Sequence, residues 1–176
     1  MHVLLAPAIA VMNRLKYPQK FALISLLFTF PLALVMYLVI SEIDDRINFA
    51  QKEIYGDAYL RPLRKVLEHV PQARRLAHAY ANGRVSIRPK LITKQAEIAE
   101  DLDALAAIDK DLGEVLKTAN QFSVLKENWR FLQNKTFSLE TSDSDDLYTQ
   151  LIAEIRALIA HVGDTSNLIL DPDLDS

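Results

Sequence analysis

Between Phe21 and Ile40 the chain runs for twenty residues without a charged side chain (FALISLLFTFPLALVMYLVI). A helix rises about 1.5 Å per residue, so this run matches a hydrocarbon core of about 30 Å. It is longer than the apolar part of a signal peptide, and Leu38-Val39-Ile40-Ser41 offers no small-x-small cleavage site. The run therefore reads as an uncleaved anchor. Pro31 sits mid-run, where membrane helices tolerate a kink. Val3 to Met12 is a second apolar run, broken by Pro7 and too short to cross; with Arg14 and Lys16 behind it, two readings stay open, a segment lying in the cytoplasmic interface and a disordered stub.

The flanks give an orientation. Arg14, Lys16 and Lys20 precede the run with no acid among them, and Glu42, Asp44 and Asp45 follow it. The positive-inside bias then predicts residues 1–20 in the cytoplasm, 21–40 across the membrane, and 41–176 exported to the far side. This exported part carries 17 basic and 23 acidic residues, a formal charge of −6. Such a balance speaks against nucleic acid as a partner, which needs a basic face. The chain has no cysteine, which removes disulfides, thiolate metal sites and cysteine nucleophiles and leaves packing to hold the exported part.

Four glycines and seven prolines punctuate 176 residues sparsely, which favours long helices over many-stranded sheets. Apolar residues recur at helical spacing in three stretches. Ile43, Ile47, Ala50 and Ile54, then Leu60, Leu63, Leu67 and Val70, place a helix beyond the span. Gly56 and Pro62 permit a bend in it, Pro71 is the next breaker, and Gly83 to Pro89 is the first loop. A second helix from Pro89 to Leu132 is predicted by Ile98, Leu102, Leu105, Ile108, Leu112, Val115, Ala119, Phe122, Leu125, Trp129 and Leu132, with Gly113 or Asn120-Gln121 as points of interruption. Residues 133 to 146 form a polar connection, where Ser142 or Ser144 can cap a third helix. That helix carries Leu147, Leu151, Ile155, Leu158, Ile159 and Val162 and ends at Gly163. The expected fold is all-α: one transmembrane helix, then long amphipathic helices of an elongated and incomplete bundle whose fourth, returning helix is missing. Stripes left open by three helices predict a homodimer.

Little in the sequence suggests catalysis. His69, His78 and His161 are scattered without a metal-ligand spacing, His69 and His78 read as solvated residues, and neither a glycine-rich phosphate loop nor a nucleophile elbow is present. Asp171-Pro-Asp173-Leu-Asp175 imitates the start of a calcium loop, but Ser176 stands where that loop needs glycine. The stretch reads as a turn, and no cofactor is expected. A basic cluster stands out against the acidic balance: Arg61, Arg64, Lys65, Arg74, Arg75, Arg84 and Arg88. Arginine pairs bidentately with carboxylate or phosphate, so these residues are candidates to capture a small anion between helices. The competing reading is local salt bridging, as between Arg64 and Glu68.

With Pro7-Ala-Ile-Ala-Val-Met-Asn-Arg14, Tyr17-Pro-Gln-Lys-Phe21 ahead of the span, Tyr59-Leu-Arg-Pro-Leu63 and Asp171-Pro-Asp-Leu-Asp-Ser176, the chain resembles the N-terminal sensory region of bacterial methyl-accepting chemotaxis proteins. The resemblance implies a span, a periplasmic helical bundle, a second span and a cytoplasmic signalling coiled coil, of which this sequence holds the first two. It implies a receptor and not an enzyme, binding a small molecule or a periplasmic binding protein that carries one. Two alternatives stay open: the sensory module of a membrane-bound histidine kinase or diguanylate cyclase, and a structural membrane-anchored coiled coil, which would show strict heptads.

Overall fold

A computed structural model describes residues 16–138 and 140–168. The expectations for Val3–Met12 and for Asp171–Ser176 lie outside them. The described residues are helical, with no strand among them. Helix α1 spans Tyr17–Ala81, α2 Arg88–Leu112, α3 Ala119–Lys135 and α4 Thr141–Thr165. A 3-10 turn at Val85–Ile87 joins α1 to α2. The chain divides into two units, the first ending at Asn48 and the second beginning at Phe49.

In the first unit, α1 presents its apolar side chains to the outside. The fifteen large ones between Phe21 and Ile40 are exposed by 40% at Leu23 to 71% at Phe21. This helix is long and apolar enough to cross a membrane. Burying a large apolar side chain is worth about 1.5–3 kcal/mol, so fifteen together favour a lipid environment by some tens of kcal/mol.

The second unit sorts its apolar residues by position. On α1, Tyr59, Leu63, Val66, Val70, Ala73 and Ala77 are buried at alternating steps of four and three. The same alternation marks Leu91, Gln95, Ile98, Leu102 and Leu105 on α2, Phe122, Leu125, Trp129 and Leu132 on α3, and Tyr148, Leu151, Ile155, Leu158 and Val162 on α4. These four stripes meet in one hydrophobic core.

Polar contacts fix the direction of each pair. Tyr59 with Asp109 (2.8 Å) and His69 with Asp101 (2.6 Å) set α1 antiparallel to α2. The same holds for α2 and α3 through Gln95 with Thr136 (2.9 Å) and Asp103 with Lys126 (3.6 Å). Asn128 bonds Glu154 at 2.7 Å, and the ring of His161 lies 3.0 Å from the Leu116 carbonyl, so α3 and α4 are antiparallel too. Finally α4 returns along α1, with Arg74 on Asp145 and Gly56 against Ser166. The glycine is required there: a Cβ at Gly56 lies 2.2 Å from Ser166 Oγ. It serves close approach of α4 to α1.

The predicted second helix, 89 to 132, is two helices. Between them Leu116 is fully buried while Val115 is 48% exposed, so the apolar series read through this region slips by one residue. Lys117 adopts φ +56°, and Thr118 donates from Oγ1 to Asp109 Oδ1 at 2.6 Å. That carboxylate also takes the Tyr59 hydroxyl, so the reversal is tied to α1. The second unit therefore packs four helices, the last part of α1 with α2, α3 and α4, and α4 is the returning helix that the count from sequence lacks. The stripes close on one another within the chain, which removes the open-stripe ground for a dimer.

Other boundaries shift as well. Pro71 does not break α1, which continues to Ala81; a proline forfeits one backbone bond, and the buried Val70 and Ala73 on either side hold the helix in place. The third predicted helix does not end at Gly163 but at Thr165, because Gly163 is buried and the Ser166 amide closes on the Val162 carbonyl. Its N-cap is Glu140, not Ser142 or Ser144, and Ser144 is buried inside the first turns.

Candidate functional site

Six arginines were singled out by composition, and one helix axis separates most of them. Arg61 and Arg74 are thirteen residues apart on α1, about 20 Å at 1.5 Å per residue, so they cannot close on one small ligand. Arg61 turns back on its own helix and donates from Nε (3.0 Å) and Nη2 (2.7 Å) to Asp57 Oδ2. Arg64 is exposed and makes no ion pair among the described residues, the expected Glu68 included. Arg84 is exposed at the head of the 3-10 turn. Arg88 lies over the Phe137 ring, 4.9 Å from its centroid, and Phe137 meets Tyr80 edge to face at 5.3 Å.

Arg74 and Arg75 do come together with further chemistry. They line a cleft of about 450 Å³ between α1 and α4, completed by Pro71, His78, Asp145 and Ile152. Arg74 crosses to the other helix, donating from Nε to Asp145 Oδ1 (2.9 Å) and from Nη2 to Asp145 Oδ2 (2.8 Å). This is the parallel two-bond fork in which a guanidinium grips a carboxylate. Each partner moves the other's titration: the fork holds the Asp145 carboxyl below its ordinary value and raises Arg74. Both side chains stay about one-third exposed, at 35% and 36%, so solvent reaches the pair. Pro71 and Ile152 add an apolar wall.

The sequence reading found the arginines but not their partner. Asp145 is 71 positions from Arg74, inside the stretch 133 to 146 that the sequence marks only as a polar connection. His78 was read as solvated; it is exposed, yet it borders the cleft. His69 is not solvated. Its ring is 23% exposed, with Nδ1 at 2.6 Å from Asp101 and Nε2 at 3.9 Å from Glu97, which itself pairs with Lys94. That chain of polar contacts clips α1 to α2.

No protein-family model matches this chain, and no curated protein or solved structure matches it.

Proposed function

We propose that this chain forms the membrane anchor and extracytoplasmic sensing region of a chemoreceptor-like signal transducer, with residues 1–20 cytoplasmic and 41–176 periplasmic. The four antiparallel helices read as an up-and-down bundle that captures a small anion in the Arg74 cleft. One observation carries this: a single helix, Tyr17–Ala81, contains both the exposed apolar run and four residues of the cleft, Pro71, Arg74, Arg75 and His78. A ligand with unequal affinity for two arrangements of α1 and α4 shifts their balance, and a displaced α1 carries that change toward the span.

The strict heptads expected of a scaffolding coiled coil occur in the buried stripes, but they are spent inside the chain, which supports a sensing unit over a scaffold. A homodimer keeps a different footing. Ile40, Ile43 and Ile47 follow at steps of three and four and are each at least half exposed, a surface that a second copy covers.

Alkaline phosphatase fused after Ser176 should be active in cells, and activity of a cytoplasmic reporter alone at that site overturns the topology. A single cysteine at Ile47 should cross-link two copies in membranes, cleanly because the chain has no other cysteine. The rate of that cross-linking should change when a bound anion is added. A rate indifferent to every anion that binds would remove the signalling role.

A further inference from the structure

The Arg74 cleft already contains a carboxylate, and it belongs to the protein. We infer that the ligand is a small monocarboxylic acid with an apolar body, and that its carboxylate takes the place of Asp145 on the Arg74 fork. This rests on the anion-sensing reading above and names both the ligand class and the displaced group.

Three features point the same way. The guanidinium fork is filled by a planar pair of oxygens, Oδ1 and Oδ2 of Asp145, so the carboxylate of a ligand can take over the same two bonds. The lining charge is small: Arg74 and Arg75 against Asp145 leave one surplus positive charge with His78 neutral. Asp146 also lies within electrostatic reach of Arg74, so each negative charge beyond the first on a ligand meets more repulsion. Beside the fork, Pro71 and Ile152 offer an apolar wall to a hydrocarbon body.

The resident carboxylate is a weak competitor. A partly exposed ion pair of this kind shifts an equilibrium by no more than about fivefold, because both ions keep much of their water. A diffusing acid that adds contact with Ile152 and an approach to Arg75 exceeds it. Exchange frees Asp145 near the start of α4 and removes a link between α4 and α1. Occupancy of the fork then becomes a change in how the two helices are joined.

The test uses the full chain in uncharged detergent micelles at pH 7, with calorimetric titration of butyrate, benzoate, inorganic phosphate and citrate. Wild type should bind butyrate or benzoate in preference to phosphate and citrate. Asp145→Asn, which keeps the shape and removes the competitor, should bind the same acid about two- to fivefold tighter. Arg74→Lys, which keeps the charge and loses the fork, should weaken it at least tenfold, and both variants should keep the wild-type helical circular dichroism. If Asp145→Asn binds no tighter while Arg74→Lys still weakens binding, the cleft is an anion site and the exchange is wrong. Preference for phosphate or citrate overturns the monocarboxylate class and leaves the anion reading standing. Binding of none of the four probes to wild type or Asp145→Asn rejects both readings.

Discussion

Two regions of the chain use the same residue types and the same helix to opposite ends. From Phe21 to Ile40, leucines and phenylalanines cover every side of α1 and all the large ones face outward. From Tyr59 to Ala77, apolar residues fall on one stripe, exposed by 3% or less at Tyr59, Leu63, Val66, Val70, Ala73 and Ala77. Helix propensity does not separate them. The distribution around the axis does: all-round apolarity asks for an apolar solvent, whereas a stripe asks for other helices.

That contrast breaks most sharply under truncation. Leu63→Ala and Trp129→Ala should each cost about 3–5 kcal/mol of unfolding free energy, because they leave cavities in a closed core. Leu27→Ala, in the apolar run, should leave the denaturant midpoint of the second unit unchanged. Equal losses from the two sites, measured by chemical denaturation in micelles, would show that the regions are not energetically distinct. A charge reverses the ranking. Leu32→Arg should raise the cost of membrane insertion by about 2.5–3.5 kcal/mol, read as the fraction of chain recovered in the membrane, while Arg inserted for the exposed Val124 should not change it.

A smaller effect is expected at Gly56. Its added methyl in Gly56→Ala meets Ser166 and the Leu168 side chain, so overpacking of about 1–3 kcal/mol should follow. Ser166→Gly should return part of it, and full additivity of the two changes would place the strain elsewhere. The smallest is a pH effect. Burial pushes the Tyr148 hydroxyl up to about 12 and raises Tyr59 also. A raised folded-state value means that this part of the stability is intact below the ordinary tyrosine value of about 10. It is then lost as pH climbs through 12. Tyr148→Phe should soften the alkaline decline in melting temperature and hold or slightly raise the neutral-pH value, since it removes a buried hydroxyl that has no hydrogen-bond partner.

Much of this arrangement was legible from residue spacing alone. The apolar run, the loop at Gly83–Pro89 and the stripes around Leu63, Leu102, Trp129 and Ile155 all follow from period and charge. The reversal at 113 to 118 did not, because Val115 and Ala119 keep helical step with their neighbours even though both face solvent. Gly113 was noted as a place for interruption, but what closes the turn is Thr118 bonded to Asp109, a pairing that periodicity does not reveal. The cleft was half legible for a related reason. Basic residues close in sequence announce themselves, whereas an acid 71 positions away becomes their neighbour only once four helices have folded.

One oxygen of Asp109 receives both the Tyr59 hydroxyl and the Thr118 hydroxyl. Loss of the acid orphans two donors at once, and loss of either donor leaves a carboxylate half-served beside an apolar interior. Positions 59, 109 and 118 are thus bound into one inheritance, and descendants of this sequence should alter them as a set or not at all.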